Sequence, residues 1–350
     1  MAARFPFPVP FGWFCVGEPA DYPVLAAKAA YYWDRHLVIW RDEANTLHVQ
    51  DAFCPHLGAH LGHGGTVSDG CITCPFHGWR YGADGTNVEI PYSDRVNRKA
   101  KLRTFPTVEC NGLSFAWYHP DESVAPMWEV PEFPEFSGTH PEWSTLISTS
   151  YEIDTTWQEM AENGVDSAHF RYVHNTATVP ELDSYETGFP ISAMRSSQKF
   201  PTPRGVMEGR IDTTSYGPGM SMVSFAGIVD TLNLAVTTPI AADKCIIRFN
   251  FRFKTMGDEK TTRGVGKAFV NEVHRQVLED KPIWEHKAHL VRPALADTDG
   301  PFMKFRKWCA QFYAEPVGAG DERSVFPPPW WPDRIDEAPA KATASARLES

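Results

Sequence analysis

The stretch from Cys54 to His77, CPHLGAHLGHGGTVSDGCITCPFH, decides how the rest of the chain is read. It offers Cys54 and His56 as C-x-H on a first loop and Cys74 and His77 as C-x-x-H on a second. Each loop thus carries one thiolate and one imidazole. Structural zinc modules use the same ligand types but usually pair Cys with Cys on one knuckle and His with His on a helix. The interleaved order suits a [2Fe–2S] cluster better, because one iron can take both thiolates and the other both imidazoles. Gly58, Gly62, Gly64 and Gly65 let the backbone pass close to the cluster's sulfides, and Pro55 and Pro75 stiffen the two loops.

At 350 residues the chain can build two domains with their own cores. It carries 33 Lys and Arg against 44 Asp and Glu, a net charge of −11 with no basic run, which argues against a nucleic-acid partner or an anionic membrane surface. The opening MAARFPFPVPFGWFCV mixes aromatics and Pro where a secretory segment needs an uninterrupted apolar run, and no apolar stretch long enough to cross a membrane follows. A soluble, cytoplasmic protein is expected. Of seven Cys, two go to the cluster, and Cys15, Cys71, Cys110, Cys245 and Cys309 are left without regular spacing, as free thiols in a reducing compartment. Cys71 and Cys74 imitate a C-x-x-C pair, but that reading leaves the first loop unused.

Short alternating runs such as His36 to Arg41 and Leu47 to Gln50 predict antiparallel β-structure before the ligand loops, and Leu113 to Tyr118 predicts a closing strand after them. The Pro-rich stretch from Pro120 to Pro134 marks a boundary. Beyond it, Leu146 to Ile153 reads as a strand that leads into a helix capped by Asp154, Thr155 or Thr156. In Cys245 to Lys254, Ile247, Phe249, Phe251 and Phe253 alternate with Arg248, Asn250, Arg252 and Lys254, the pattern of a half-buried strand with a polar outer face. Weaker alternation over 207–240 predicts further strands of one curved sheet. Helices are predicted from Thr261 to His289, despite Pro282, and from Pro301 to about Tyr313.

A second cluster of polar residues lies in ENGVDSAHFRYVH, with Asn163, Asp166, His169 and His174. Asp166 and His169 share a helix face, but His174 lies about 140° further round, so the helix must end or distort between Phe170 and Val173. Two His alone would more often be a structural pair. A one-electron carrier in the same chain needs an acceptor, however, and two His plus a carboxylate on Fe(II) make a suitable one. Local signals read Asp299, in ADTDGP, as a helix N-cap, because Pro301 stands at an early helical position.

These motifs resemble the Rieske non-haem iron oxygenases, and more closely their 3-ketosteroid 9α-hydroxylase branch. Ala59 and Phe76 stand where Rieske proteins of respiratory complexes carry a disulfide. The stretch from Asn163 to His174 is similar to the family's N-x-x-D-x-x-H-F-x-x-x-H. IWEHK at 283–287, DGP at 299–301 and Arg306, Trp308, Gln311, Phe312 and Tyr313 resemble its C-terminal stretch.

The resemblance implies a Rieske [2Fe–2S] cluster on Cys54, His56, Cys74 and His77 and mononuclear Fe(II) on His169, His174 and Asp299, with Asp297 in reserve. It further implies a head-to-tail homotrimer in which Asp166, beside Asn163, bridges His169 of its own chain and His77 of the next. O2, a separate ferredoxin or flavin reductase and a hydrophobic polycyclic substrate, a steroid, are the implied partners, since nothing in the chain resembles a flavin or nicotinamide site. Residues around Met220, Met222 and Phe225 are candidates for the pocket wall.

The fold class expected is α+β. An all-β Rieske domain with its N-terminal extension spans 1–135, a helix-grip-like catalytic domain with a curved antiparallel sheet spans 136–315, and a poorly ordered tail spans 316–350. A sterol desaturase or an O- or N-dealkylase is the alternative within the same chemistry. A non-catalytic Rieske electron carrier is the alternative from another class.

Overall fold

The computed structural model describes residues 4–176, 178–202, 205–227 and 229–314, without the side chains of 199–202, 205 and 206. The expected tail, 316–350, lies outside the described residues. The chain divides into two compact units, one over Trp13–Pro126 and the other formed by residues up to Gly12 together with those from Met127 onward.

The first unit is built from short strands: β1 (Gly12–Gly17), β2 (Ala27–Tyr32), β3 (Arg35–Arg41), β4 (Leu47–Asp51), β5 (Thr66–Ser68), β6 (Cys71–Thr73), β7 (Arg80–Gly82), β8 (Asn87–Glu89), β9 (Thr104–Phe105), β10 (Thr107–Cys110) and β11 (Leu113–Tyr118). They form three antiparallel sheets, ordered β1-β11-β10, β2-β3-β4-β9 and β5-β6-β7-β8. Trp40, Leu61, Ile72, Tyr81 and Leu102 make a core that also buries Cys54 and Cys74. The two ligand loops are therefore anchored at their cysteines by the same apolar packing that holds the sheets.

The second unit contains β12 (Ile147–Ile153), α1 (Trp157–Ala161), α2 (Ala168–Tyr172), β13 (Glu181–Thr187), β14 (Ile191–Thr202), β15 (Gly205–Tyr216), β16 (Met220–Ala226), β17 (Thr231–Ala241), β18 (Lys244–Phe253), α3 (Glu259–His286) and α4 (Phe302–Cys309). The seven strands form one antiparallel sheet, β12-β18-β17-β16-β15-β14-β13, in which β13 to β18 follow one another as a meander. α3 starts on Asp258, whose carboxylate accepts the Thr261 N–H at 2.7 Å. It lies against Phe251 and Phe253, with Phe269 edge-on to both. Gly266 permits this approach: a Cβ there would come within 2.7 Å of the Phe253 ring. Pro282 sits inside α3, which continues through it to His286.

β18 departs from the half-buried strand expected. Asn250 and Arg252, on the face read as polar and outward, are buried as fully as Phe251 and Phe253. The Asn250 amide donates to the Leu234 carbonyl, and Arg252 donates to the carbonyls of Ser144 and Gly138. The segment ahead of β12 thus covers that face, and backbone carbonyls satisfy the polar side chains it buries. No helix among the described residues is long and apolar enough to cross a membrane.

Around α1 the core contains charge. Glu159 is fully buried, accepts from His289 Nδ1 at 2.6 Å and forms an ion pair with the Lys287 ammonium at 2.9 Å. One turn on, Glu162 holds Arg306 of α4 at 2.7 Å. Residues 4–12 close the same region, with Phe7 stacked on Tyr313 and the Phe11 N–H donating to the Phe312 carbonyl.

Burial by itself would raise the Glu159 carboxyl, but the His289 hydrogen bond and the Lys287 charge prevail and hold it down to about 2. A depressed carboxylate contributes stability that is fully present above its unfolded value and is lost as pH falls towards the folded one. From 4.5 down to about 2 this amounts to something of the order of 3 kcal/mol. Glu159→Gln should therefore destabilise the protein by a constant amount above pH 5, and by less as pH is lowered from 4.5 to 3, in chemical unfolding followed by fluorescence. A gap independent of pH over that range would show that Glu159 carries no such linkage.

Candidate metal centres

Both loops of the first unit have one backbone plan. The Cys54 N–H donates to the Ala59 carbonyl and the Gly58 N–H returns to the Cys54 carbonyl; Cys74 N–H to Trp79 and Gly78 N–H to Cys74 repeat the pair. Gly58 and Gly78 both take left-handed φ, +75° and +71°, as the sequence pattern C-P-x-x-G requires at its fifth position. Gly65 serves closeness instead, since a Cβ there would fall 2.2 Å from the Leu61 carbonyl oxygen.

This double turn gathers the four donors. The Cys54 and Cys74 thiols interact directly, and the rings of His56 and His77 lie 4.7 Å apart. Tyr81 contacts the Cys54 sulfur at 3.1 Å, a bond in which only the hydroxyl can donate once the thiol is ionised. Burial raises the Cys54 thiol, which is a cost that a bound cation removes. Trp79 lies flat on His56, its ring centroid 4.4 Å away, and donates its N–H to the Tyr92 hydroxyl. His77 Nδ1 is buried without a hydrogen-bond partner among the described residues. An orphaned imidazole nitrogen beside a second imidazole and two buried thiols is the donor set that a cluster with mixed sulfur and nitrogen ligands would satisfy.

In the second unit, Thr156 caps α1 by accepting the Glu159 N–H, and a 3₁₀ turn over Glu162–Val165 leads to Asp166. The Asp166 carboxylate accepts the N–H groups of Ala168 and His169, at 3.1 and 3.3 Å, and so starts α2. α2 ends at Tyr172, which lets His174 turn back toward His169 as the angular argument requires. Their ring centroids are 5.2 Å apart.

The Nδ1 atoms of both rings are engaged. His169 Nδ1 bonds the backbone carbonyl of Asp166 at 2.5 Å, while the Asp166 carboxylate is 4.0 Å away, and His174 Nδ1 bonds Glu279 at 2.9 Å. A proton on each Nδ1 leaves Nε2 as the lone-pair nitrogen of each ring. Burial lowers the His169 pKa, which favours the neutral, ligating form.

The carboxylate that meets these imidazoles is Asp280 of α3. His169, His174 and Asp280 each offer a donor atom, all within 4.8 Å of one another, with Asp280 Oδ2 at 3.4 Å from His174 Nε2. Asn163 hydrogen-bonds the same carboxylate, whose pKa burial raises to about 6. Asp299 stands outside this group: it is exposed, and its Oδ2 accepts the Ala296 N–H of its own turn. Its neighbour Gly300 packs so tightly on the loop before α2 that a Cβ would fall 1.8 Å from the Val165 carbonyl oxygen, which brings the DGP turn up to Asp166. Asp297 is exposed as well.

Asp280 did have a sequence signal. It interrupts the buried stripe of α3 between Val277 and Trp284, where a carboxylate needs a partner.

Beside Val165 opens a cavity of about 250 Å³ between α1, α4 and the sheet, walled by Trp157, Met160, Ile247, Phe249 and Trp308. Met220 lines it as expected. Phe225 packs on Phe269 of α3, and neither Phe225 nor Met222 reaches the cavity wall.

Residues 12–106 match the family described as Rieske [2Fe-2S] domain, and residues 116–313 match 3-Ketosteroid 9alpha-hydroxylase C-terminal domain. A 3-ketosteroid-9-alpha-monooxygenase oxygenase component of Rhodococcus rhodochrous is 30% identical over 320 residues, covering 87% of this chain and 80% of that protein. A cholesterol 7-desaturase of Bombyx mori is 30% identical over 339 residues, covering 90% and 72%. Among solved structures, dicamba monooxygenase bound to dicamba shares the fold, with a TM-score of 0.71 at 18% identity over 86% of this chain and 96% of that one.

Proposed function

Because the chain belongs to the Rieske non-haem iron oxygenases and is the oxygenase component of such a monooxygenase, we propose that it hydroxylates a steroid or a similar polycyclic, largely apolar substrate. One observation carries the proposal: the apolar cavity opens beside the loop that joins α1 to the two histidines of α2 and its C-terminal turn. When bound, the cluster supplies single electrons and the mononuclear iron supplies O2 activation. The chain's own task is to hold the imidazoles with Nε2 free, to exclude water by lining the cavity with Trp157, Phe249 and Trp308, and to present one C–H bond of the substrate.

Cys54, His56, Cys74 and His77 are proposed as the cluster ligands, within a Rieske domain over 13–126. His169 and His174 are proposed to hold the mononuclear iron together with Asp280, whose carboxylate stands with the two imidazoles, in place of the exposed Asp299 that the resemblance implied, within a catalytic domain over 136–315. Asn163 is proposed to orient the Asp280 carboxylate, and Asp299, which accepts within its own turn, to fix the loop that Gly300 presses on Val165. We further propose a cytoplasmic homotrimer fed by a separate reductase, in which the Asp166 carboxylate faces His77 of the next chain. The Asp166 carboxylate stands 4.0 Å from His169 Nδ1 and already accepts two backbone N–H groups, so one of its oxygens is left to bond a second imidazole.

Ring desaturation is the second reading, favoured by the similarity to a cholesterol 7-desaturase. The same ligand set serves either outcome, and the bond presented to it decides.

With a surrogate reductase, a panel of ketosteroids, sterols and aromatic ethers should give substrate-dependent O2 uptake with the steroids, and a hydroxylated product by mass spectrometry. Uptake with the ethers alone would overturn the steroid reading, and a product two hydrogens lighter would establish desaturation.

Iron analysis separates the carboxylates. Asp280→Ala should lose the mononuclear iron and keep the cluster spectrum, whereas Asp299→Ala should keep the iron. The reverse pattern would exchange their roles.

For Asp166→Asn, both metals should remain while oxidation of the reduced cluster by O2 and substrate slows at least a hundredfold in a single turnover. An unchanged rate would remove Asp166 from the route.

A further inference from the structure

The cavity beside Val165 is lined mostly by apolar side chains, and its hydroxyls are densest along one line across the sheet. Ser192 on β14 faces Ser215 on β15, and Ser215 faces Ser221 on β16, so the three occupy one transverse row. Directly paired residues of antiparallel strands share a face, and all three side chains line the cavity. The same row continues through Ala235 and Phe249 on β17 and β18, where it becomes apolar. Three serine hydroxyls and that of Tyr185 are therefore grouped at one end of the cavity floor, while Thr213 and Thr237 and the N–H groups of Trp284 and Trp308 are the other polar groups of lining residues.

These hydroxyls form two pairs. Ser215 and Ser221 lie 2.9 Å apart, oxygen to oxygen, and Ser192 donates to the Tyr185 hydroxyl at 3.0 Å. Each pair holds two protons, and one proton closes it. The other finds no acceptor among the described residues: neither Ser215 nor Ser221 makes a further side-chain hydrogen bond, and the Tyr185 hydroxyl has only its contact with Ser192. Burial holds the Tyr185 phenol well above its ordinary range, so its proton stays in place at any working pH. A donor left unmet in an apolar cavity is costly, more so than an unused lone pair. A ligand atom that only accepts would meet both surplus donors.

We propose that Ser215 and Ser221, with the Ser192–Tyr185 pair beside them, form a subsite that receives a carbonyl oxygen of the substrate and so determine which end of it enters first. The proposal rests on the polycyclic-substrate reading above and adds the handle by which that substrate is held. An acceptor-only ketone fits two surplus donors better than a hydroxyl, which brings a proton of its own, and far better than an ammonium or a carboxylate, for which the described lining offers no charged partner.

The test uses the metal-loaded holoenzyme and a matched pair of probes, 5α-androstan-3-one and 5α-androstane, with dissociation constants read from quenching of tryptophan fluorescence; Trp157, Trp284 and Trp308 line the cavity. The wild-type protein should bind the ketone about tenfold more tightly than the hydrocarbon, the scale of one buried neutral hydrogen bond. Ser215→Ala and Ser221→Ala should each reduce that ratio to below about threefold while leaving the affinity for the hydrocarbon unchanged, and Ser215→Thr, which keeps the hydroxyl, should restore it. If both probes bind equally well to the wild type, or if the variants leave the ratio intact or weaken both probes alike, the subsite is overturned while the steroid reading stands. If neither probe binds, the steroid reading falls and the subsite with it.

Discussion

Gathering several ligand donors into one small volume, before any metal offsets the cost, is the constraint on which the rest of this structure depends. Two buried thiols and two half-buried imidazoles in the first unit, and two imidazoles and a carboxylate in the second, crowd together with reduced access to water. Each such group loses solvation, and like groups do not attract one another. The chain meets the cost in two ways. In the first unit the backbone does it, through paired Cys-Pro-x-x-Gly turns whose hydrogen bonds fix each cysteine at both its N–H and its carbonyl. In the second unit the side chains do it, because Glu279 and the Asp166 carbonyl each take an imidazole N–H and leave the opposite nitrogen free.

The difference follows from the supporting elements. Short strands with tight turns can hold a loop from both sides, so the first site needs little beyond its own backbone and a Tyr hydroxyl. α2 has five residues and cannot be stable on its own strength. It is held by the Asp166 carboxylate at its start, by Gly300 pressed against Val165, and further back by the Glu159 and Glu162 ion pairs that tie α1 to Lys287, His289 and Arg306. Buried pairs of this kind are weak evidence for net stability, because desolvation consumes much of their attraction. Their geometry still fixes α1, and hence the loop to His169, more narrowly than apolar packing would.

What the sequence revealed was what local chemistry controls. The ligand loops, the Thr156 cap, the end of α2 before Val173 and the period of β18 all depend on neighbours a few residues away, and all were legible. β13 and β14 were not foreseen: Glu181 to Thr187 is almost wholly polar and exposed, so no alternation marks it, and its strand state comes from pairing with β14. Asp280 was visible only as a flaw in a helical stripe, and its partners, His174 and Asn163, lie more than a hundred residues away. The burial of Asn250 and Arg252 likewise depends on carbonyls of a distant segment. Long-range pairing decides these cases, and one chain's local pattern carries no record of it.

The two halves of the catalytic unit divide the control of reactivity between them. The imidazoles ride on α2 and the turn after it, whereas most of the cavity floor belongs to a sheet whose strands are paired along their length. On the proposed reading, a substrate held by the sheet would be presented to imidazoles held by the helix, and Gly300 and the Glu159 pairs, which belong to neither group, would help to set the distance between them. The chain's similarity both to a 3-ketosteroid-9-alpha-monooxygenase and to a cholesterol 7-desaturase shows that similar chains carry names of different reactions. A misplacement of about 1 Å in that separation is enough to slow a reaction about a hundredfold, so the residues that set it matter as much as the ligands.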